Sequence, residues 1–190
     1  MISLSNSESV YDAIIHRRSM GLSRLKPDPV PRHLIEQMLE AANWAPSHGD
    51  TEPWRFTVFT GEGRAALAQI FEGAMAEPEG ARKRAFAAPV WISLELVPGR
   101  KADGTLLMPI EEELMALACA VQNLHLMACA LGLAGMWHSK GPSVHPAVAQ
   151  GLGLEAPDRL LGFFMCGWPA GDWLTSSRRP LDEKVRWVES

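Results

Sequence analysis

The stretch APSHGDTEPWRF, residues 45–56, joins a predicted helix to a predicted strand and decides how the rest of the chain is interpreted. Pro46 disfavours the helical conformation at the residue before it and so ends the preceding helix, while Pro53 favours an extended start to the strand predicted over residues 54–60. Between the prolines lie small or polar residues whose backbone donors are not used by regular secondary structure. A loop of this composition can face a polar, planar ligand.

The chain has 190 residues, which predicts one domain over residues 1–190 with a single core. Its 47% hydrophobic and 21% charged residues are typical of a soluble globular protein, and the net charge of -4 excludes a basic surface for nucleic acid. Cys119, Cys129 and Cys166 form no CxxC pair, so neither a disulfide framework nor a zinc site is predicted. The N-terminus has neither a basic nor an apolar signal segment, and the expected location is the cytoplasm.

Residues 114–137 are apolar enough to raise the question of a membrane span. Gln122, Asn123 and His125 lie in the middle of this run, which favours a buried helix of a soluble protein. His125 is interpreted as a hydrogen-bonded core residue. The glutamates at 111–113 precede the apolar run, where negative charge complements the dipole at a helix start.

Gly61, Gly63 and Ala66 match the G-x-G-x-x-A pattern of dinucleotide-binding turns. The acidic residue expected about 20 residues later is missing, since residues 81–84 read ARKR. We therefore predict a plain turn followed by the start of a helix.

Ser5 and Glu8 form an S-x-x-E capping pattern that predicts a helix running to about Arg17. Arg17, Arg18 and Ser19 are then presented where this helix ends. In one interpretation the two arginines only complement the helix dipole. In the other they form a phosphate clamp, because guanidinium groups offer fork-shaped donors and the hydroxyl adds another.

A second candidate stretch is the glycine-bracketed strand predicted within residues 133–142. Glycines allow a ligand to approach the backbone closely, and Trp137, His138 and Ser139 supply an aromatic wall and hydrogen-bonding groups. The alternative is that Trp137 simply fills the core. Residues 159–169 follow as a buried strand.

Four segments, in order, resemble the flavin-dependent nitroreductase family, and the shorter, single-domain members most closely. They are AIIHRRS (13–19), APSHGDTEPWRF (45–56), LGLAGMWHS (131–139), and GFFMCGWP (162–169) followed by RRPLDEKVRW (178–187). Together they span almost the whole chain. The resemblance implies an α+β fold with a mixed, largely antiparallel sheet flanked by helices, and an intertwined homodimer with FMN at its interface.

The resemblance also implies site residues, and no metal site or catalytic side chain, because FMN itself carries the chemistry. Nine residues match positions that hold FMN: Arg17, Arg18, Ser19, Trp44, His48, Trp137, His138, Ser139 and Arg178. Arg17 and Arg18 match positions that contact the phosphate and ribityl region of FMN. Arg178 matches a position that makes a second phosphate contact. Trp44 and His48 match positions that approach the flavin from the other subunit. Residues 127–132 match a segment assigned to the nicotinamide nucleotide.

The chain departs from the family pattern at the candidate site. The usual Asn and Gln of the loop are Asp50 and Glu52 here. Carboxylates near a flavin that becomes anionic on reduction are unfavourable unless they turn away, are protonated or pair with a cation. The basic residue that often follows RRS is absent at Gly21, and Arg24 is a candidate to replace it.

The activity implied by the resemblance is a ping-pong cycle. NADH or NADPH reduces FMN and leaves, and a nitroaromatic, a quinone or a related conjugated acceptor is then reduced. Two alternatives remain open. One is the same fold with divergent chemistry, namely flavin fragmentation, dehalogenation or enone reduction, and the other is a flavin-free dimeric binding protein. No ribose-reading signature distinguishes NADH from NADPH.

Overall fold

A computed structural model describes residues 7–189. Ser5, half of the predicted capping pair, lies outside the described residues. The described helices are α1 (Ser7–His16), α2 (Arg32–Asn43), α3 (Arg64–Glu72), α4 (Pro78–Ala85), α5 (Ile110–Ala130) and α6 (Pro146–Gly151). The strands are β1 (Trp54–Arg55), β2 (Val58–Thr60), β3 (Val90–Leu96), β4 (Ala134–His138) and β5 (Arg159–Gly167).

The sheet is built around β3, which pairs with β1 and β2 along one edge and with β5 along the other, and β4 completes the sheet beyond β5. All these pairs are antiparallel. One isolated parallel bridge joins Ser19 to Gly135 of β4, so the sheet is mixed but largely antiparallel. The predicted α+β architecture is therefore confirmed.

The strand predicted over residues 54–60 is broken in its middle. The register of β3 shifts between Ser93 and Glu95. This shift lies in the pairing with β5, on the other edge of β3. Between β1 and β2 the backbone N–H of Thr57 donates to the Ser93 hydroxyl at 2.8 Å. The sequence did not predict this break, because it depends on the partner strand.

Helices cover both faces of the sheet, because β3 and β5 are buried on both sides. On one face, Ile92 and Phe164 pack in the same cluster as Leu117 and Leu124 of α5. On the other, Phe71, Trp91 and Phe163 are fully buried and meet edge to face, at centroid distances of 5.5 to 5.9 Å. The two clusters give a helix–sheet–helix arrangement.

The long apolar segment forms α5. By length and composition α5 is the one described helix that could cross a membrane, but 44% of its most apolar window is buried against the rest of the protein. Leu117, Val121 and Leu124 are essentially inaccessible to solvent. These contacts are those of a core helix, as the sequence predicts.

Two smaller predictions concern the turn before α3 and the C-terminal tail. Residues Gly61–Gly63 form a single helical turn leading directly into α3, so the predicted turn and helix start are confirmed. Residues 170–189 contain neither helix nor strand. The apolar anchors of this tail predict that it packs against the domain or against a partner. Leu181 and Trp187 are exposed in the single chain, so they do not pack on the domain, and packing against a partner stays a prediction.

Candidate functional site

The Arg17–Ser19 segment is attached to the edge of β4. It follows the end of α1 at His16, and Ser19 forms the parallel bridge with Gly135. The N–H of Met20 donates to the Gly135 carbonyl at 2.9 Å, and the Met20 side chain is fully buried. The fold therefore brings together two stretches that the sequence singled out separately.

The two arginines of this segment differ in what they contact. Arg18 Nη1 donates to the carbonyls of Ile15 at 2.6 Å and Arg17 at 2.8 Å, so it caps the end of α1. Arg17 is half-buried and directs Nη1 toward Nδ1 of His125, 3.4 Å away. Among the described side chains, neither arginine pairs with a carboxylate. The capping interpretation thus applies to Arg18, and Arg17 retains an uncompensated charge.

His125 connects α5 to the same segment. It is 6% exposed, and its Nε2 lies 3.1 Å from the carbonyl oxygen of Arg18. Burial and then the charge of Arg17 lower the pKa of His125 to about 4. The prediction of a hydrogen-bonded core histidine is confirmed, although its partners are the candidate site itself.

Trp137 and His138 point to opposite faces of the sheet because they are consecutive in β4. Trp137 packs on the α5 side and donates from Nε1 to the Leu161 carbonyl at 2.8 Å. The core-filling interpretation therefore holds for much of this ring. Ser139 follows and is exposed.

The other face of β4 carries a cluster that sequence reasoning missed. Arg84 Nη2 lies 3.2 Å from His138 Nδ1 and 3.2 Å from the Ser143 hydroxyl. Burial lowers the pKa of Arg84, and burial together with the charges of Arg84 and Lys140 lowers the pKa of His138. Protonation of this imidazole is therefore disfavoured. Arg84 belongs to the basic run ARKR at residues 81–84, which is the only feature of the sequence that points to this cluster.

The loop over residues 45–53 has an unusual backbone. Gly49 has φ 66°, which glycine adopts freely, but Asp50 and Glu52 have φ 51° and 43°. Side chains other than Asn and Asp rarely adopt this left-handed region. The Ser47 hydroxyl accepts from the Glu52 N–H at 3.2 Å and supports the turn. Of the family's two usual amide positions, Glu52 is therefore strained and Asp50 is not, and both are exposed here.

Two glutamates at the start of α5 hold this loop. His48 Nδ1 hydrogen-bonds to the Glu112 carboxylate. The Thr51 hydroxyl donates to Glu113, which is almost completely buried. The helix-dipole role predicted for the glutamates is thus accompanied by an anchoring role.

The remaining predicted residues lie apart from one another. Trp44 is 80% exposed and donates from Nε1 to Glu40 at 3.0 Å. It borders an apolar groove of about 500 Å³ between α1, α2 and α5, where Met127 also lies. Arg178 bonds only within the tail, to Ser176 and the Ser177 carbonyl.

One subunit does not assemble all the predicted contacts. His48 meets α5 at Glu112, whereas Arg17 meets it at His125. These positions are separated by about 20 Å along the axis, given a rise of about 1.5 Å per residue. Among residues 7–189, no group of three or more His, Cys, Asp or Glu side chains could hold a metal ion.

The chain is similar to known proteins over most of its length. The sequence profile of the nitroreductase family matches residues 14–168. YdjA of Escherichia coli (strain K12), provisionally named an NAD(P)H nitroreductase, is 32% identical over 165 residues, covering 83% of this chain and 87% of YdjA. YfhC of Bacillus subtilis (strain 168), named in the same way, is 29% identical over 183 residues, with 91% of each chain covered.

Two solved structures have a similar fold. A nitroreductase-like family protein from Bacillus cereus superposes with a TM-score of 0.80 at 26% identity, covering 100% of both chains. A provisionally named nitroreductase from Desulfovibrio desulfuricans, solved in complex with FMN, gives 0.69 at 26% identity, covering 95% of this chain and 97% of the other.

Proposed function

The chain belongs to the nitroreductase family, and we propose that it is an FMN-dependent oxidoreductase that uses NADH or NADPH to reduce nitroaromatics, quinones or related conjugated acceptors by a ping-pong cycle. The relatives' names and the FMN complex of a structural neighbour support this activity and cofactor. Bound FMN supplies the hydride chemistry, and the protein supplies binding, orientation and electrostatics. We also propose that the chain forms one domain over residues 1–190 and works in the cytoplasm.

The observation that carries the proposal is the attachment of the Arg17–Ser19 segment to Gly135. It places a guanidinium without a carboxylate partner and an exposed serine hydroxyl beside the β4 stretch. A phosphate group fits this donor set, because a charged, fork-shaped donor and a hydroxyl can both donate to its oxygens. Arg18 Nε, which is buried without a partner in the described structure, is a further donor nearby.

A homodimer completes the site in this proposal. Trp44 and His48 of a second copy supply flavin contacts in this proposal. Within one copy, His48 meets α5 about 20 Å along the helix axis from the residue that Arg17 contacts. The apolar groove beside Trp44 supports this arrangement, since Val10 and Ile14 are 59% and 48% exposed. Contiguous exposed apolar residues of this kind mark interaction surfaces.

The roles of the remaining residues follow from their positions. The backbone around His138 and Ser139 faces the flavin ring, and the exposed Arg24 is available to balance charge on the reduced cofactor. Arg178 reaches the phosphate only if the tail folds back or crosses to the second copy. Asp50 and Glu52 pair with no cation among the described side chains, so they disfavour an anionic reduced flavin.

The absorbance spectrum of the purified protein, with FMN titrated in, tests the proposal. Wild-type protein is expected to show saturable flavin bands that weaken in Arg17→Ala. Arg32→Ala is the matched control, because Arg32 is an exposed arginine paired with Glu36 in α2. Failure of the wild-type protein to bind FMN would contradict the proposal and leave the flavin-free binding protein.

Divergent chemistry on the same fold is the second candidate, favoured by the carboxylates at positions 50 and 52. It covers flavin fragmentation, dehalogenation and enone reduction. Steady NAD(P)H oxidation with a nitroaromatic acceptor would argue against it. Comparing NADH with NADPH in the same assay identifies the preferred donor.

A further inference from the structure

His125 joins three parts of the molecule that meet at the proposed phosphate-binding end of the site. Its ring lies on α5, and its two nitrogens face the backbone of Arg18 and the side chain of Arg17. The ring also meets Phe164 of β5 edge to face, with centroids 5.0 Å apart. A buried imidazole in an otherwise apolar helix is thus directed at the segment that carries the clamp.

The partners of His125 determine where its hydrogen lies. A carbonyl oxygen only accepts, so Nε2, 3.1 Å from the Arg18 carbonyl, carries the hydrogen. A guanidinium only donates, so Nδ1 keeps its lone pair toward Arg17 Nη1, at 3.4 Å. Both contacts require the neutral ring, and a proton on Nδ1 would place a second positive charge against Arg17.

The packing behind His125 keeps the ring in place. Phe164 occupies the space where a Cβ on residue 135 would lie, because such an atom would come within 2.5 Å of the Phe164 ring. Gly135 in turn binds Ser19 and Met20 through its backbone. The segment after α1 is therefore held from α5 on one side and from β4 on the other.

We propose that His125 is a positioning residue for the anion-binding end of the flavin site. Its neutral ring orients the Arg17 guanidinium and the Arg18 backbone, so that the remaining Arg17 donors and the Ser19 hydroxyl face the phosphate of FMN. This inference rests on the proposed function. A long arginine side chain loses rotamer entropy when it binds, and holding it beforehand reduces that cost.

The test compares FMN with riboflavin, which has the same ring and ribityl chain but no phosphate. Apo-protein is titrated with each ligand, and the quenching of flavin fluorescence gives the dissociation constant. In wild-type protein FMN binds more tightly than riboflavin. In His125→Leu the affinity for FMN falls about tenfold, which corresponds to one lost charge-assisted contact, while the affinity for riboflavin changes little.

Two further variants separate positioning from general damage. His125→Gln retains a donor and an acceptor and is expected to preserve the preference for FMN. Leu117→Ala removes an equally buried side chain of α5 away from the clamp and is expected to lower stability without changing the preference. If His125→Leu does not fold, His125→Asn replaces it in the test. The shorter amide side chain does not reach both Arg17 and the Arg18 carbonyl, so this variant is also expected to lose the preference for FMN over riboflavin.

The outcomes distinguish this inference from the proposed function. Equal losses of FMN and riboflavin affinity, or no loss of either, would overturn the positioning role while leaving the flavin enzyme intact. Wild-type protein that binds neither ligand would overturn both.

Discussion

The Thr51 hydroxyl donates a 2.7 Å hydrogen bond to the carboxylate of Glu113, a residue that is only 1% exposed. The other carboxylate oxygen accepts from the backbone N–H of Gly99 at 3.2 Å. One buried carboxylate therefore joins the loop at residues 45–53, the loop before α5 and α5 itself. This junction sets the position from which His48 is presented.

Thr51→Val is expected to lower the free energy of unfolding by about 1–3 kcal/mol, because it leaves a buried carboxylate oxygen without its donor. Urea unfolding measures the change. Thr105→Val is the matched control, since Thr105 makes a bond of the same 2.7 Å length to Asp103 in an exposed loop. Equal costs for the two variants would show that the Glu113 junction contributes nothing beyond an exposed contact.

Stability is expected to fall on acidification because His125 is buried as the neutral ring, facing Arg17 and Arg18. Its pKa is about 4 in the folded protein, against an ordinary value of 6.5 for a histidine in the unfolded chain. Between these two pH values the unfolded chain therefore binds more protons than the folded protein does. The contribution of the neutral His125 to the free energy of unfolding is complete above the unfolded pKa and decreases as the pH falls below it. About 2 kcal/mol is lost between about pH 8 and about pH 5.

Urea unfolding of wild-type protein and His125→Gln across this pH range checks the effect. The variant is expected to show a shallower dependence. Part of the dependence remains in the variant, because the pKa of His138 is lowered in the same direction. Parallel pH profiles for the two proteins would mean that His125 is not buried as the neutral ring.

Gly162→Ala is expected to destabilise the pairing of β4 with β5. Gly162 has φ 117°, and an added Cβ would clash with the carbonyl oxygen of His138. Relieving the clash requires a backbone shift, with an expected cost of about 3 kcal/mol or more. Gly63→Ala is the control, because Gly63 has φ −57° and open space around it. Thermal unfolding that shifts equally in both variants would contradict the crowding at Gly162.

Arg84→Met is expected to raise the pKa of His138, because it removes a cation that opposes protonation of this ring. Burial and Lys140 still act, so the pKa stays below its ordinary value. An NMR titration of the imidazole protons measures the change. Arg82→Met is the control, since Arg82 stacks on Phe86. An unchanged His138 titration would show that Arg84 does not control its protonation.

Asp50→Asn is expected to raise the midpoint potential of bound FMN, because removing a negative charge near the ring stabilises the anionic reduced form. Asn also tolerates the φ of 51° at this position. A spectroelectrochemical titration measures the potential, and Asp28→Asn is the control at another exposed carboxylate. Identical potentials in wild-type protein and Asp50→Asn would place Asp50 away from the flavin.

The sequence predicted the elements that depend on near neighbours along the chain. The apolar run over residues 114–137 predicted α5, the stretch over residues 159–169 predicted β5, and Pro46 predicted the end of α2 close to Asn43. The RRS and GMWHS segments were also identified as candidates, each from its own composition. Local conformational preferences, periodicity and short motifs suffice for such predictions.

Contacts between distant parts of the chain could not be predicted in this way. His125 and Arg17 are 108 residues apart, and Arg84 and His138 are 54 apart. No local pattern links such residues, because their distance depends on how the helices pack on the sheet.

The sequence alone therefore determined α5, the end of α2, the turn before α3 and the family resemblance. These follow from backbone preferences and side-chain polarity over a few residues. Only the tertiary structure decided that Arg18 caps α1 while Arg17 keeps its charge, that Glu113 anchors the loop, and that His125 is directed at the Arg17–Ser19 segment. Those assignments depend on burial. A buried polar group is costly unless it forms a hydrogen bond, and only the fold determines which groups lie close enough to form one.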